Sequence, residues 1–343
     1  MNSLLSNIYI IITISIIFIA LVVIFSCSQR ERPTIAFYYW KTIFKLSESE
    51  KNTLTENEVK KIYIRYFDID LDSKNEPFPI SPIGFDTKAL NYTVVPVVYI
   101  KNKVMLQKNI DVETLAQKTF DFIQEINTKN KLQVEEIQID CDWTLASRDN
   151  YLRFIENFKK ISGKTLSATI RLHQIKYFAK TKIPNVSKGV LMYYNMGTIA
   201  TDTLNSIYDK NVANRYLESL KNYPLEIDIA LPIYSWAVHI SEDRVIGLRN
   251  KIDVLEFKKD TNFVFENEFY FKVKHANYKK GRFYSANDIL KLESISQKDL
   301  LEMAKDLDDN LKETPKEIIF YDLDELNMKN YEKNIFKQVI ARF

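Results

Sequence analysis

Eight short runs of apolar and β-branched residues recur between residues 34 and 323, and amphipathic helical patterns separate most of them. The predicted strands are Thr34–Trp40, Lys61–Phe67, Thr93–Ile100, Glu136–Trp143, Thr165–His173, Val190–Asn195, Glu226–Tyr234 and Glu317–Leu323. The predicted helices cover residues 112–129, 149–161, 211–222, 297–311 and 330–342. Strands that alternate with helices form parallel sheets, and eight such units are typical of a closed barrel. The predicted fold class is therefore α/β, a (β/α)8 TIM barrel.

A long stretch, residues 235–315, separates the seventh and eighth predicted strands and contains strand-like runs of its own. We interpret this stretch as an insertion beside the mouth of the barrel. The barrel and its insertion then form one domain over residues 28–343, and residues 1–27 are predicted to be a signal peptide.

The signal peptide is predicted from an unbroken apolar run, Ile8–Phe25, which is followed by Ser26 and Cys27. This ending resembles the lipobox of bacterial lipoproteins, in which the cysteine is acylated and becomes the mature N-terminus. The resemblance implies a protein anchored through lipid on Cys27 to a membrane of the bacterial cell envelope. An uncleaved transmembrane anchor is the alternative, since about 20 apolar residues suffice to span a bilayer. Arg30 and Arg32 would then favour a cytoplasmic body.

The charge distribution argues against nucleic acid as a partner. The 48 Lys and Arg residues nearly balance the 45 Asp and Glu residues and are interspersed with them, whereas nucleic-acid-binding domains carry a basic patch. The sequence also lacks a glycine-rich phosphate loop, a zinc-ligand spacing and a nucleophile elbow, so we expect neither a cofactor nor a metal. Cys141, the only other cysteine, is predicted to be a buried, inert thiol.

The fourth predicted strand carries two carboxylates on one face. Alternation places its polar residues together, namely Gln138, Asp140, Asp142 and Thr144, and points Ile137, Ile139 and Cys141 the other way. Carboxylates on an otherwise apolar strand cost free energy unless the strand delivers them to an open, polar end of a barrel. Asp140 and Asp142 are therefore candidate active-site residues.

Aromatic residues cluster at the ends of the same predicted strands. Trp40, Trp143 and Trp236 end or follow strands one, four and seven, and Tyr194, Tyr234 and Tyr321 lie at comparable heights on strands six to eight. The loops after barrel strands build one face, so these rings are predicted to gather at the mouth as flat platforms for sugars. The alternative is that they only cap the core.

Four short motifs resemble those of family 18 chitinases, in the order in which they occur there and across most of residues 34–343. They are Asp140-Cys-Asp142-Trp-Thr144, Met192-Tyr-Tyr194-Asn195, Leu231-Pro232-Ile-Tyr234 and Ile318-Ile-Phe-Tyr321. The family reads Asp-x-Asp-x-Glu, Met-x-Tyr-Asp/Asn and Leu-Pro-x-Tyr at the first three and ends strand eight with Trp. The segments 168–174 and 191–197 also resemble those of glycosidase-like bacterial lipoproteins.

The resemblance implies roles for several residues. Asp142 would hold the acetamido group of a sugar, with Tyr194 as its hydrogen-bonding partner, Asn195 as support and Tyr321 as the floor of the subsite. The family's general acid is the final Glu of the first motif, and Thr144 stands in its place. A positioned general acid is worth about 10²–10⁴ in rate, so its loss predicts sugar binding with little hydrolysis by that route.

Strand five carries Arg171 and His173 next to strand four. We predict that Arg171 lies inside the barrel and pairs with Asp140, and that His173 donates to Asp142 or to the ligand. A divalent-metal site built from Asp140, Asp142 and His173 is the alternative. The other two histidines, His239 and His275, are expected on the surface or in loops.

Two main function classes follow. The first is a glycoside hydrolase that uses Asp142, Tyr194 and Asp140 with a substitute acid. The candidate substitutes are Asp68, Asp70, Asp322, Asp324, Glu266 and Glu268. The second is a non-catalytic carbohydrate-binding protein, with Trp40, Trp143, His173, Asn195, Tyr234, Trp236 and Tyr321 as the ligand contacts. An envelope scaffold that binds a protein partner is a further alternative.

Overall fold

The structure, a computed structural model, describes residues 31–86, 91–267 and 269–343. Eight parallel strands form a closed barrel: β1 Thr34–Tyr39, β2 Lys61–Leu71, β3 Thr93–Ile100, β4 Glu136–Asp140, β5 Thr165–Arg171, β6 Lys188–Met192, β7 Ile227–Pro232 and β8 Glu317–Tyr321. Each strand pairs with the next along the chain, and β8 pairs with β1 to close the ring. The predicted TIM barrel is confirmed, whereas the predicted signal peptide and Cys27 lie outside the described residues.

Helices surround this barrel. They are Glu48–Glu56, Asn102–Met105, Val112–Asn130, Arg148–Ser162, Leu172–Lys176, Phe178–Thr181, Lys210–Leu217, Val254–Lys258, Gln297–Asn310, Glu325–Met328 and Ile335–Ile340, with a 3₁₀ turn at Leu220–Asn222. Side-chain caps fix where the long helices begin: Asp111 accepts from the amide of Thr114, and Ser296 forms a capping box with Asp299. Among the described residues, none of these helices is long and apolar enough to cross a membrane.

Six barrel strands, β1 and β4 to β8, end one to three residues earlier than the sequence predicts, and the site residues lie near three of these ends. β4 ends at Asp140 rather than Trp143, β5 at Arg171 rather than His173, and β6 at Met192 rather than Asn195. At β5 the chain turns directly into a short helix, because the Gln174 side chain accepts a hydrogen bond from the Arg171 amide at 2.7 Å. The residues beyond these ends therefore lie in loops or, after β5, in a short helix at the mouth, where strand alternation no longer sets their direction.

Residues between β7 and β8 form a second sheet with its own apolar core. Its five antiparallel strands run in the order Arg244–Asn250, Ser235–Ser241, Ile289–Ser294, Tyr270–Val273 and Phe263–Asn267. Smaller strands are the hairpin Asn277–Lys279 with Arg282–Tyr284, Pro77–Ile80 against β2, and Ile43–Phe44 with Gly84–Phe85. Helix Gln297–Asn310, in contrast, packs its apolar residues into the barrel core.

The second sheet corrects the expectation for one histidine. His239 is fully buried on the interior strand Ser235–Ser241, and its Nε2 lies 2.8 Å from Asp288 Oδ2. Its Nδ1 faces Arg249 Nη2 at 2.5 Å, so both ring nitrogens are satisfied inside the sheet. His275 is exposed, as expected.

The N-terminal end of the barrel interior holds five charged groups, here called the basal ion network: Lys61, Glu136, Lys188, Asp228 and Glu317. The ammonium of Lys188 lies 2.8 Å from Asp228, 2.9 Å from Glu317 and 3.5 Å from Glu136. Lys61 adds a second ion pair to Glu317 at 2.6 Å. Burial lowers the pKa of Lys188, but the three carboxylates outweigh it and raise that pKa above its usual value. Lys188 therefore remains charged and compensates the buried carboxylates.

Replacing Lys188 with Met should destabilise the fold strongly, because it leaves buried carboxylates without their counter-charge. We expect the free energy of unfolding to fall by about 3–5 kcal/mol at pH 7, as measured by chemical denaturation. The matched control is Lys316→Met: Lys316 pairs with Glu226 at 2.7 Å, but its side chain is 74% exposed. Solvent screens that pair, so its loss should change stability little. Equal effects of the two substitutions would contradict this role for the network.

Candidate functional site

Asp140 ends β4 inside the barrel, near the mouth. Its side chain is almost fully buried and accepts a hydrogen bond from Thr169 Oγ1 at 2.6 Å. Burial and the neighbouring Asp142 raise the pKa of Asp140 to about 7, against the opposing effect of Arg171. This carboxyl therefore holds a proton to a much higher pH than an ordinary aspartate does.

Asp142 forms the principal ion pair of the mouth. Arg171 donates from Nε to Asp142 Oδ1 at 2.5 Å and from Nη2 to Oδ2 at 3.1 Å. The prediction that Arg171 pairs with Asp140 is wrong, and the strand register gives the reason. β4 and β5 pair Glu136 with Thr165, an offset that places Thr169 beside Asp140 and Arg171 beside Asp142.

The two residues that follow Asp142 differ in position. Trp143 is fully buried and stacks on Tyr151 with ring centroids 4.4 Å apart, so the expectation that it offers a face to a ligand is wrong. Gln174 Nε2 donates to its carbonyl at 3.1 Å and helps to fix this turn. Thr144 is exposed, and its amide donates to Ser147 Oγ at 2.9 Å.

Tyr321 is the centre of an aromatic cluster at the mouth. Its ring stacks on Tyr194 at 5.5 Å and meets Tyr234 at 5.6 Å and Trp40 at 5.4 Å, both edge to face. Tyr38, from deeper in the barrel, supports it at 5.7 Å. The predicted gathering of rings is thus present for Trp40, Tyr194, Tyr234 and Tyr321. All of them except Tyr194 are partly exposed.

Tyr194 contributes chiefly packing. It is 3% exposed, and its hydroxyl donates to the sulfur of Met192 at 3.2 Å. The guanidinium of Arg171 lies 6.0 Å from the centre of its ring, at the outer limit of a cation–π contact. Tyr194 therefore connects the aromatic cluster to the Asp142–Arg171 ion pair.

Asn195 and Trp236 are held by partners from other elements. The Tyr234 hydroxyl donates to Asn195 Oδ1, and the indole N–H of Trp236 donates to Glu293 Oε2 at 2.8 Å. Glu293 is buried on the inserted strand Ile289–Ser294 beside Lys291, whose ammonium lies 2.8 Å away. Sequence reasoning missed Glu293 and Lys291, because alternating charges on a strand look like a solvated face.

Two further side chains near the carboxylates were also missed. The aromatic ring of Tyr99 lies at the end of β3, and burial followed by the charges of Asp142 and Asp140 raises the pKa of its hydroxyl. Gln138 accepts a hydrogen bond from the Tyr38 hydroxyl at 2.6 Å inside the barrel. The sequence signal that could have found them is the alternation of side chains along β3 and β4, which predicts the face on which each one lies.

Most of the candidate substitute acids are engaged in other contacts. Asp68 pairs with Arg65 at 2.6 Å, and Asp70 pairs with Lys101 and Lys103. Asp322 accepts from Asn327 at 2.7 Å, and Asp324 pairs with Lys251 at 2.8 Å. Glu266 is exposed on the inserted sheet, and Glu268 lies outside the described residues. Asp140 is the acid that remains beside Asp142.

His173 lies in the short helix after β5 and is exposed. Partial desolvation and the positive charge of Arg171 lower the pKa of its imidazole, so it is neutral at pH 7. It forms no hydrogen bond to Asp142 among the described residues. Across the same part of the chain, no group of three or more His, Cys, Asp or Glu side chains is arranged to hold a metal ion.

Solved structures show where this architecture occurs. The chain superimposes on the spore cortex-lytic enzyme SleL of Bacillus cereus with a TM-score of 0.55 and 14% identity, covering 92% of this chain and 75% of that one. A Bacteroides thetaiotaomicron chitinase gives a TM-score of 0.54 and 10% identity, covering 91% and 97%. A mutant GH18 chitinase of Cycas revoluta in complex with (GlcNAc)4 gives 0.52 and 11%, covering 90% and 99%.

The chain has the fold of family 18 chitinases. These identities are low, so the likeness concerns the fold alone. No protein-family model matches the sequence, and a search of curated proteins gives no match. In this chitinase fold, the four motifs of the sequence all lie at the C-terminal ends of β4, β6, β7 and β8.

The raised pKa of Asp140 makes the stability of this chitinase-fold domain dependent on pH. An aspartate in the unfolded chain loses its proton near pH 3.9, whereas folded Asp140 loses it near pH 7. The native state therefore binds more protons between these values, and wild-type stability relative to Asp140→Asn should fall as pH rises from about 4 to about 7. Denaturation of both proteins across that range measures the difference; a constant difference would show that Asp140 ionises normally.

Proposed function

We propose that the protein binds a glycan at the mouth of its barrel and does not hydrolyse it by the family 18 route. The observation that carries the proposal is the state of the strand-four motif. Arg171 occupies both oxygens of Asp142, and Thr144 stands where a proton donor is required. The motif therefore lacks its proton donor, and its Asp142 is held in a bidentate ion pair.

The shape and chemistry of the mouth support glycan binding. The partly exposed rings of Trp40, Tyr234 and Tyr321 offer apolar faces to the C–H side of sugars. A cleft of about 480 Å³ begins at Tyr234 and Trp236 and continues along the inserted sheet. This volume suits a short oligosaccharide, because ligand pockets of about 300–1,000 Å³ are usual.

Hydrolysis with Asp140 as the acid is the second candidate function. Its favouring observation is the pKa of about 7, which would keep Asp140 partly protonated at neutral pH beside Asp142. Its burial and its hydrogen bond from Thr169 argue against it, because a general acid must reach the glycosidic oxygen. We therefore place binding ahead of hydrolysis.

Binding and release of reducing ends should be measured together, using the full-length chain in detergent and (GlcNAc)4 as the probe. We expect saturable binding without release of ends above the uncatalysed level. Trp40→Ala should weaken binding about three- to tenfold through the loss of one stacking contact. Tyr278→Ala removes a 79% exposed aromatic outside the cluster and serves as the control. Equal effects of the two substitutions would contradict the mouth as the binding site.

The outcome for hydrolysis separates the two candidate functions. Release of ends that Asp140→Asn abolishes would establish the enzyme and contradict the non-hydrolytic proposal. Release of ends that persists in this variant would identify another acid and would also contradict it. The absence of both binding and release, tested against a panel of bacterial and host polysaccharides, would remove the glycan proposal and favour a scaffold that binds a protein.

We also propose that a lipid on Cys27 anchors the protein in the bacterial cell envelope, after the apolar run before it has been removed as a signal peptide. The sequence Ile8–Phe25 followed by Ser26 and Cys27 supports this location. Cys27→Ala should abolish acylation and the accompanying cleavage, as measured by metabolic labelling with a fatty acid and by a mass shift. Ser28→Ala, a neighbouring substitution that keeps the thiol, is the control. An unchanged mass and membrane association in Cys27→Ala would favour an uncleaved transmembrane anchor.

A further inference from the structure

A small cavity opens at the mouth between the C-terminal ends of β5 and β6. Its volume is about 90 Å³, and its polar walls are Arg171, His173 and Asn195. Tyr194 and Tyr216 supply aromatic walls. The cavity is much smaller than the 300–1,000 Å³ of a usual ligand pocket, so it suits a substituent of a ligand rather than a whole sugar ring.

Arg171 has hydrogen-bonding capacity beyond its ion pair. Nε and Nη2 donate to Asp142, whereas Nη1 makes no hydrogen bond within the described residues. The side chain is 22% exposed and lines the cavity, so an incoming group can reach it. A guanidinium has five N–H donors and no acceptor, which makes its free edge specific for an acceptor or an anion.

Asn195 is also oriented as a donor toward ligands. Its Oδ1 accepts the hydroxyl of Tyr234, which leaves the two N–H bonds of Nδ2 without a partner among the described residues. The backbone of Asn195 has a positive φ of 53°, a conformation that asparagine tolerates better than most residues. Its amide also donates to the carbonyl of Ile207 at 2.8 Å, which holds this turn in place.

The remaining charges near the cavity favour an anion as well. Both oxygens of Asp142 accept from Arg171, so the charge of this carboxylate is compensated, and Asp142 does not line the cavity. The ammonium of Lys176 lies 5.3 Å from the centre of the Tyr216 ring, outside the cavity lining, and donates to the carbonyl of Arg215 at 2.9 Å. The cavity therefore combines free N–H donors with a nearby positive charge.

We propose that this cavity binds the carboxylate of an acidic sugar within the glycan. The inference rests on the proposed glycan binding and adds the substrate class, a carboxylate-bearing oligosaccharide. The carboxylate would accept from Nη1 of Arg171 and from Nδ2 of Asn195, while the sugar ring lies against the aromatic cluster. Hydrogen bonds to a charged acceptor are roughly twice as strong as neutral ones, so the carboxylate should decide selectivity.

The test compares three ligands on the full-length chain in detergent by calorimetry. They are the disaccharide of N-acetylglucosamine and N-acetylmuramic acid, the methyl ester of its lactyl carboxylate, and (GlcNAc)2. The ester keeps the shape and removes the charge. We expect the free acid to bind about tenfold or more tightly than the ester, since a charge-assisted hydrogen bond contributes about 1.5–3 kcal/mol.

Asn195→Asp tests the residues of the cavity. It keeps an acceptor for the Tyr234 hydroxyl but replaces two donors by a negatively charged oxygen, so the ratio of acid to ester affinity should fall to about one or below. Asn211→Asp introduces the same charge at an exposed position of helix Lys210–Leu217 and should leave the ratio unchanged.

The outcomes distinguish the two proposals. Equal affinity for acid and ester in the wild type would overturn the carboxylate site while leaving glycan binding intact. A preference for the acid that survives Asn195→Asp would overturn the assignment to this cavity. No binding of any of the three ligands would overturn the carboxylate site and would count against the proposed function as well.

Discussion

The barrel depends on the compensation of buried charge at its base, because its interior is polar over much of its height. Above the basal ion network, Ser167 donates to Glu136 at 2.8 Å and lies 3.4 Å from the amide of Gln138. Gln138 in turn accepts the hydroxyl of Tyr38, whose ring packs against Tyr321. A continuous column of contacts thus leads from the ionic layer to the aromatic cluster. A barrel lined only by apolar side chains would avoid the free-energy cost of burying polar groups. It would also lack this internal network of polar contacts.

Arg171 determines the character of the mouth. Burial and the charge of Asp142 raise the pKa of Asp140, and the arginine on the next strand pairs with Asp142 rather than with Asp140. Arg171 donates to both oxygens of Asp142, whereas Asp140 accepts a hydrogen bond from Thr169 and has a raised pKa. The mouth thus holds one charge-compensated carboxylate and, among the described residues, N–H donors without partners, as the proposed recognition of an acidic glycan requires.

The fold could be predicted from sequence because eight short runs rich in apolar and β-branched residues alternate with amphipathic helical patterns. The pairing of side chains at the site could not be predicted from sequence. Alternation gives the face of a strand on which a side chain lies, but not how far one strand is shifted relative to its neighbour. The offset between β4 and β5 moved Arg171 from Asp140 to Asp142. Trp143 shows the other limit: once β4 ends at Asp140, the turn and not the strand directs the next side chain. The departure from the motif at Thr144 can be stated from sequence alone, because that comparison needs only the order of residues, and its effect on catalysis stays a prediction.

The buried pair of Lys291 and Glu293 has a consequence for how the chain can vary. Lys291 donates to the carbonyls of Ala200, Asp202 and Leu204 at 2.9–3.0 Å, and Glu293 binds the amide of Ser206 at 3.2 Å. The loop after β6 thus takes its backbone hydrogen bonds from a strand almost ninety residues later. Shortening or exchanging the inserted sheet would leave those carbonyls unsatisfied, so the insertion and this loop must change together during evolution or engineering.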